Sequence, residues 1–415
     1  MREIYLDYMA STPCDPLVLQ VMIPLLVEEF ANPSSSHRAG GRAKRVLEQA
    51  REECAAAIFC EPYELAFTSG ATESNNLAIL GSAAASDGRR RKIITTLIEH
   101  SSVLEPCRYL ARKGYELVYC PVDRSGEIDL GALADLIDDK TLLVSVQAGN
   151  NEIGTLQPIS SIGQLARSVG ALFHCDASQA FGKISLSAEE MCIDLFSLSG
   201  HKTYGPKGVG ALYVRGGTET GSLEPLYYGG GQEYGLRPGT PNVPAIAGFG
   251  CACRLANENM REESRTISAL RDLFEHEALK RMPGAKRNGA LTNRLPGVTS
   301  FTLDGVDADA VIANAPDVIL SSSSACNAGA LEPSHVLLAI GLTRDAAYST
   351  IRVGFGRFTS SSDVEHAAKF LSDAVRRVRS FQAESDADGT LHAGPKRQHE
   401  LSRVPPSGPR QAAGG

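Results

Sequence analysis

Short apolar runs alternate with amphipathic stretches through the first half of the chain. The apolar runs have the length of β-strands and cover residues 92–95, 116–119, 142–146, 171–174 and 193–198. The stretches with helical spacing lie between them, near residues 102–112, 129–138 and 158–169. This alternation predicts an α/β domain around a largely parallel sheet, in which binding sites collect at the carboxyl ends of the strands.

The second half of the chain has a different pattern. A long helical region from about residue 243 to 280 leads to a smaller set of strands and helices that ends near residue 381. The residues after 383 are polar and rich in glycine and proline, so we expect them to be disordered. The predicted organisation is an N-terminal segment that joins the small domain, a large α/β domain, a small C-terminal domain and a tail: residues 1–15, 16–255, 256–383 and 384–415.

Composition narrows the functional classes. Hydrophobic residues make up 43% of the 415 positions and charged residues 21%, which is ordinary for a globular enzyme. The net charge of −7 argues against a general nucleic-acid binder, and no apolar run has the length of a membrane span. Ten cysteines are scattered without the paired spacing of a metal site. We therefore expect a cytoplasmic protein with no membrane contact, no bound metal and mostly reduced, buried cysteines.

Polar residues follow several of the predicted strands at the point where each strand ends. They form four groups along the chain: Glu99-His100, Asn150-Asn151-Glu152, Asp176-Ala-Ser-Gln179 and Ser199-Gly-His-Lys202. Because the carboxyl ends of parallel strands meet at the same edge of a sheet, we expect the four groups to lie close together.

A phosphate site is predicted from the segment Thr68-Ser-Gly-Ala-Thr-Glu-Ser-Asn75, which follows the short apolar run at residues 65–67. A strand, a turn of small residues and a helix start point free backbone N–H groups and the helix dipole at an anion. The segment lacks the glycine spacing and the lysine of a nucleotide-binding loop.

Lys202 stands between an apolar strand and the glycine-rich turn at residues 203–210. A surface lysine in a loop is the ordinary interpretation. Pyridoxal phosphate, however, needs a lysine that forms a Schiff base, a carboxylate beside the pyridine nitrogen, an imidazole or aromatic face and phosphate donors. The chain offers Lys202, Asp176, His100 and the group Thr72, Ser199 and His201. Singly, Asp176 could cap a turn and His100 could be a core histidine, but packing does not account for the whole set.

The chain resembles the cysteine desulfurases, in the class V aminotransferase group of the fold-type I pyridoxal phosphate enzymes. The resemblance extends from Tyr5-Leu-Asp-Tyr to about Arg357-Phe-Thr359. Its motifs are Phe67-Thr-Ser-Gly-Ala-Thr-Glu-Ser74, Glu99-His100, Asn150-Asn-Glu-Ile-Gly154, Asp176-Ala-Ser-Gln179, Ser199-Gly-His-Lys-Thr-Tyr-Gly-Pro-Lys-Gly208 and Leu331-Glu-Pro-Ser334. It implies an α/β fold with a mostly parallel seven-stranded sheet flanked by helices, followed by a small α+β C-terminal domain.

The resemblance also implies a role for each matching residue toward the cofactor. Lys202 is expected to carry it, Asp176 to pair with the pyridine nitrogen and Gln179 to donate to the phenolic oxygen. His100 is expected to stack on the ring and to act in proton transfer. The expected phosphate contacts are Ala71, Thr72, Ser199, His201 and, from the second subunit of a homodimer, Thr240.

A substrate carboxylate is expected to bind Asn32, Asn151 and Arg352, and Asn151 also to contact the cofactor. Arginine suits this task because its planar fork binds a carboxylate through two parallel hydrogen bonds.

Cys326 is the expected catalytic cysteine, which takes sulfur from L-cysteine as a persulfide while L-alanine departs. A thiolate is the required nucleophile, although most cysteines are structural, buried thiols. The family branch with a long loop has Ser-Gly-Ser-Ala-Cys-Thr-Ser here, whereas this chain has Ser323 in place of the glycine and Asn327-Ala328 after the cysteine. The sulfur-acceptor protein is left open among iron–sulfur cluster assembly, tRNA thiolation and DNA phosphorothioation.

Two other interpretations are weighed against cysteine desulfuration. A selenocysteine lyase or another class V aminotransferase-like enzyme would keep the cofactor and change the substrate, and Cys326 favours desulfuration over transamination. A non-catalytic scaffold in a sulfur-transfer complex would have no need for Lys202, Asp176 and His100 together.

Overall fold

The computed structural model describes residues 3–322 and 332–387 of the chain, and every structural statement below concerns these residues. The strands are β1 Ile4–Tyr5, β2 Leu65–Thr68, β3 Lys92–Thr96, β4 Glu116–Cys120, β5 Thr141–Ser145, β6 Leu172–Asp176, β7 Leu195–Ser199, β8 Gly210–Val214, β9 Ala285–Asn288, β10 Val298–Leu303, β11 Val318–Ile319, β12 Ser321–Ser322 and β13 Thr350–Gly354. The helices are α1 Pro16–Val27, α2 Arg38–Ala56, α3 Ala71–Ala85, α4 Ser101–Arg112, α5 Leu130–Leu136, α6 Ile159–Ser168, α7 Val243–Arg281, α8 Ala308–Ala313, α9 His335–Ala339, α10 Arg344–Tyr348 and α11 Ser361–Ala387.

A seven-stranded sheet forms the larger part of the molecule, with the order β2-β8-β7-β6-β5-β3-β4. Strands β3 to β7 pair in parallel, and β8 joins β7 and β2 in antiparallel fashion. Strands β5, β7 and β8 are buried along their whole length, as expected for a sheet covered on both faces. The predicted α/β fold with a mostly parallel seven-stranded sheet is therefore confirmed.

Register along the sheet determines where the chemistry collects. Strand β6 pairs with β7 so that Asp176 lies opposite Ser197. The two strands consequently end side by side, and a short 3-10 turn at Gly200–Lys202 follows β7 directly. The carboxyl ends of β6 and β7 thus deliver Asp176, Ser199 and Lys202 to the same edge.

Helix α7 connects two hydrophobic cores. Near its start, Ile246 and Phe249 pack in the core under the large sheet. Further along, Leu270 and Phe274 pack in a second core with residues of β10, β13 and α11. The boundary predicted after residue 255 falls inside this continuous helix. The domain limits themselves stay a prediction.

The second core is covered by an antiparallel sheet with the order β12-β13-β10-β9. Strand β1, from the start of the chain, pairs in parallel with β11. The N–H of Gly354 at the end of β13 also donates to the carbonyl oxygen of Leu6 at 2.7 Å. The first residues of the chain are thereby held between elements that lie more than three hundred positions later.

Helix α11 continues to Ala387, so residues 384–387 of the predicted tail are helical. Residues 388–415 lie outside the described part of the chain. Among the helices of residues 3–322 and 332–387, none is long and apolar enough to cross a membrane.

Candidate active site

A cavity of about 470 Å³ lies at the carboxyl ends of the strands of the large sheet. Its lining includes ten of the residues that the sequence predicts for the site: Ala71, Thr72, His100, Asn151, Asp176, Gln179, Ser199, His201, Lys202 and Arg352. The structure therefore brings together residues from four predicted strand ends, from the start of α3 and from β13. The roles that the sequence predicts for the individual residues stay predictions.

One end of the cavity has the features of an anion site. Helix α3 begins there after Gly70, whose φ of 142° is open to glycine and strained for other residues. A Cβ atom at Gly210 on β8 would come within 2.8 Å of the Gly70 Cα, so the close approach of the two segments requires glycine. The hydroxyl of Ser199, also in the cavity lining, is buried and has no hydrogen-bond partner within the described ranges. Free helix N–H groups and an unpaired hydroxyl suit a phosphate.

Asp176 is a buried carboxylate held from two sides. Its Oδ1 accepts the N–H of Ser178 at 2.9 Å, and its Oδ2 accepts the side-chain amide of Asn75 at 2.8 Å. Asn75 is on α3, so the helix that offers the anion site also places this carboxylate. An ionised carboxylate fixed in a cavity suits pairing with a cationic ring nitrogen.

His100 is tied into the same network. The Asn75 amide also donates to the Ser102 hydroxyl at 2.8 Å, and that hydroxyl lies 2.7 Å from His100 Nδ1. The backbone N–H of Ser102 donates to Nδ1 at 3.1 Å. Because Nδ1 accepts these hydrogen bonds, a neutral His100 carries its proton on Nε2. Burial lowers the pKa of His100, and the negative charge of nearby Asp176 opposes this shift. The neutral form of His100 is therefore favoured near pH 7.

Lys202 and Gln179 both reach the N-terminal segment. The Lys202 ammonium donates to the carbonyl oxygens of Met9 and Ala10, the latter at 2.9 Å. The Gln179 amide donates to the Met9 oxygen at 3.0 Å. Lys183 lies behind them, with its Nζ 3.5 Å from Gln179 Oε1, and burial followed by the charge of Lys202 lowers the pKa of Lys183 to about 7.

Two buried glutamates stand beside the cavity without lining it. Glu99 accepts the Thr96 hydroxyl at 2.7 Å and the Gln147 N–H at 2.9 Å. Burial, followed by the charge of Asp176, raises the pKa of Glu99 to about 8. Burial also raises the pKa of Glu152, which accepts the Ser334 hydroxyl. Glu99 therefore favours its neutral form at pH 7, and the pKa of Glu152 is shifted in the same direction.

Two of the predicted site residues that the structure describes are not among the residues that line this cavity. Asn32 is exposed, and its side-chain oxygen accepts the N–H of Ser34 at 2.9 Å. Thr240 is also exposed, in the glycine-rich segment before α7. Cys326 lies outside the described residues.

Several neighbours of the predicted residues received no role from the sequence. Asn75 is the last residue of the predicted phosphate segment, residues 68–75, and its position one turn into α3 is the only signal that could have indicated its contact with Asp176. Met9 and Asp7 carry no such signal, because their partners lie far along the chain.

The residues present fit pyridoxal phosphate. The cavity offers a lysine ammonium, a buried carboxylate, an imidazole and an anion site on one set of walls, which is the donor set that this cofactor requires. The unpaired Ser199 hydroxyl and the glycine-lined start of α3 are suited to its phosphate.

Comparison with known proteins gives the same classification. The family model described as aminotransferase class-V matches residues 4–366. The mouse protein named cysteine desulfurase is 44% identical over 380 residues, which are 91% of this chain and 83% of that protein. A solved NifS-like protein is 35% identical with a TM-score of 0.84 and covers 90% of this chain and 100% of its own. A structure described as SspA in complex with cysteine is 39% identical with a TM-score of 0.75, over 86% and 99% of the two chains. The chain belongs to the class V aminotransferase family.

Proposed function

We propose that this chain is a pyridoxal phosphate-dependent cysteine desulfurase, which converts L-cysteine to L-alanine and holds the sulfur as a persulfide on Cys326. The observation that carries the proposal is the meeting of Lys202, Asp176 and His100 in one cavity with an anion site at the start of α3. The name of the mouse relative and the cysteine complex of SspA support the same reaction.

The cofactor would be held by residues from both ends of the cavity. Lys202 would carry it, Asp176 would pair with its ring nitrogen and His100 would face its ring. Gln179 would donate to its phenolic oxygen, and Asn151 would complete the contacts. Its phosphate would be bound by Ala71, Thr72, Ser199 and His201. When bound, pyridoxal phosphate supplies an electron sink for the bonds at the carbon atoms of an amino acid.

The chain's own residues supply the proton transfers. Because Nδ1 of His100 accepts from Ser102, proton exchange with a ligand takes place at Nε2. In this state the ring presents an N–H at Nε2 that donates to a ligand; to accept a proton at Nε2, the ring would need the tautomer with its proton on Nδ1. The Lys202 ammonium, released from the carbonyl oxygens of Met9 and Ala10, would be the second group able to move a proton.

Arg352 and Asn151 would receive the substrate carboxylate. The guanidinium of Arg352 is at the cavity wall and its side chain is only 3% exposed. An ion pair in such a shielded position is stronger than one at the surface. Orientation of the α-carboxylate would then place the sulfur atom for attack by Cys326, whose thiolate takes the sulfur as the carbon–sulfur bond breaks.

A homodimer is part of the proposal. Asn32 and Thr240 are exposed and do not line the cavity of their own protomer, so a second copy would have to bring them to a site. Helix α1 and the residues after it expose an unusually apolar surface, which includes Leu17, Leu26 and Phe30. The cytoplasmic location and the sulfur-acceptor protein predicted from the sequence also remain part of this proposal.

The test combines colour with sulfide release. The purified holoenzyme is expected to be yellow and to release sulfide from L-cysteine in the presence of a reductant. Cys326→Ala should abolish sulfide release and keep the colour, whereas Lys202→Ala should abolish both. The matched control is Cys14→Ala, which removes an exposed cysteine and should leave sulfide release and colour unchanged. Full activity in Cys326→Ala would disprove the persulfide step, and a colourless wild-type protein would disprove the cofactor.

A further inference from the structure

We propose that Asp7 is a positioning residue for substrate binding: it holds the Arg352 guanidinium in the orientation that receives the carboxylate of an amino acid. This inference deepens the proposed function and rests on its assignment of Arg352. Asp7 itself does not line the cavity, so it would act through Arg352 rather than touch the substrate.

The backbone around Arg352 is firmly placed. Arg352 is on β13, with Ser321 of β12 opposite on one side and Ser300 of β10 opposite on the other. All five residues of β13 are buried. A backbone in the interior of a sheet has little freedom, so the remaining freedom of Arg352 lies in its long side chain.

The N-terminal segment reaches this position because of Gly354. Asp7 forms a parallel bridge with Gly354, which is two residues beyond Arg352 on β13. Positions two apart on a strand face the same side, so Asp7 lies opposite a position on the same face as Arg352. A Cβ atom at position 354 would come within 3.0 Å of the Tyr8 nitrogen and 3.1 Å of the Met9 nitrogen. The absence of a side chain there allows the segment to lie against β13 and its carboxylate to reach Arg352.

Both oxygens of the Asp7 carboxylate are engaged. Oδ1 accepts Arg352 Nη2 at 2.9 Å, and Oδ2 accepts the Ser321 hydroxyl at 2.9 Å. The hydroxyl therefore fixes the rotation of the carboxylate, which in turn fixes the guanidinium. An arginine has five N–H donors, so a contact through Nη2 is compatible with a second carboxylate on the same guanidinium.

Charge balance supports the same role. The Arg352 side chain is 3% exposed, and a buried cation without a counter-charge is strongly destabilising. Glu152 also interacts with Arg352, but burial raises the pKa of Glu152 and favours its neutral form. Asp7 is the carboxylate in direct contact with the Arg352 guanidinium, at 2.9 Å, and keeps it in place before a substrate arrives. Preorganisation of this kind lowers the ordering cost of binding.

The test compares two small amines that differ only in the carboxylate. L-alanine and ethylamine are titrated into the yellow holoenzyme, and their dissociation constants are read from the change in cofactor absorbance. We expect Asp7→Ala to raise the dissociation constant of L-alanine by at least about tenfold, because a buried charged partner is lost. The dissociation constant of ethylamine should stay within about twofold of the wild-type value. The dissociation constant of L-alanine in Asp7→Asn should lie between those of Asp7→Ala and the wild type. The matched control is Glu3→Ala, which removes an exposed acidic side chain from the same segment.

Two results would overturn the inference: an equal loss for both amines, which would mean a general distortion of the cavity, or no loss for L-alanine. If Asp7→Ala does not fold or does not retain the cofactor, the ratio of the two dissociation constants in Asp7→Asn decides the question. Failure of the proposed function is a separate outcome. A wild-type protein that releases no sulfide from L-cysteine but binds L-alanine in an Asp7-dependent way would disprove the reaction and support the role of Asp7.

Discussion

The cavity has two walls of different origin. The strand-end wall, which consists of Asp176, Ser199 and Lys202, comes from the neighbouring strands β6 and β7 and the turn that follows. The recognition wall is Arg352 together with Asp7, which holds it, and Ser321, which holds Asp7; only Arg352 of the three lines the cavity, and the residues are up to 345 positions apart. Asp176, Ser199 and Lys202, which are proposed to act on the cofactor, are therefore close in sequence, while the residues proposed to select the substrate are assembled across the whole chain.

The difference has a physical cause. Parallel neighbours in a buried sheet share one edge, so each strand end delivers its polar residues to the same place without further contacts. The recognition wall forms only after β1 has paired with β11 and Gly354 has accepted the N-terminal segment. Closing so long a loop has an entropic cost, which the hydrogen bonds and packing of that segment must offset. Substitutions in the two walls should consequently have different kinetic signatures.

Asp176→Asn in the strand-end wall should have the largest effect. The variant keeps the shape but loses the negative charge that would stabilise a cationic ring nitrogen. Its amide has a single acceptor oxygen, so it can also keep only one of the two hydrogen bonds from Asn75 and Ser178. We expect kcat for sulfide release to fall by about a thousandfold, the upper range for loss of one preorganised electrostatic group. Steady-state kinetics on the yellow holoenzyme measure it. An unchanged kcat would show that this wall does not carry the chemistry.

Arg352→Lys in the recognition wall should have the next largest effect, with a different signature. Lysine keeps the charge but cannot form the two parallel hydrogen bonds of a guanidinium with a carboxylate. We expect kcat/KM for L-cysteine to fall by about a hundredfold, mainly through KM, as for truncation of a buried charge pair. A fall in kcat alone, with KM unchanged, would contradict the division between the two walls. Lys286→Arg, at an exposed ion pair with Asp304, is a control for charge-preserving exchange.

Glu99→Gln tests whether the buried Glu99, beside the strand-end wall, makes the stability of the protein depend on pH. The folded-state pKa of Glu99 is about 8, above its ordinary 4.5, so the folded protein retains a proton that the unfolded chain releases. This contribution to the free energy of unfolding is fully present below pH 4.5 and is lost as pH rises through 8. Between about pH 5.5 and about pH 7, the free energy of unfolding of the wild type should therefore fall by about 2 kcal/mol relative to that of Glu99→Gln. Denaturant titrations at the two pH values measure the difference, and parallel pH profiles would show that Glu99 does not titrate in this way.

Ser321→Ala should have the smallest effect and the most selective one. The variant removes the hydroxyl that holds Asp7 Oδ2 but leaves the ion pair with Arg352. A hydrogen bond contributes about 1 kcal/mol, so its loss should raise the dissociation constant of L-alanine roughly fivefold in the absorbance titration. The dissociation constant of ethylamine should not change. Ser362→Ala, at an exposed position on α11, is the control. Equal weakening of both ligands would mean that Ser321 supports the cavity as a whole rather than the carboxylate contact.

The sequence by itself was sufficient for the sheet and the strand-end wall. Alternating apolar and amphipathic segments predict parallel strands, and the residues after β3, β6 and β7 meet because such strands end together. The sequence therefore predicts that His100, Asp176 and Lys202 lie together, although His100 is far from the other two along the chain. This prediction depends on the polar residues at the ends of successive parallel strands, which a sequence displays directly.

The tertiary structure alone decided the contacts between distant segments. Asn75 joins Asp176 to His100 through Ser102 because α3 packs against the strands β5 to β8, and no periodicity predicts which residues meet there. Asn32 and Thr240 were grouped with the site by resemblance, but the fold of a single chain leaves them exposed. Asp7 reaches Arg352 only because Gly354 lets the N-terminal segment lie against β13. Periodicity records which face of an element is buried, whereas the partner across that face is selected by shape and charge when the whole chain has packed.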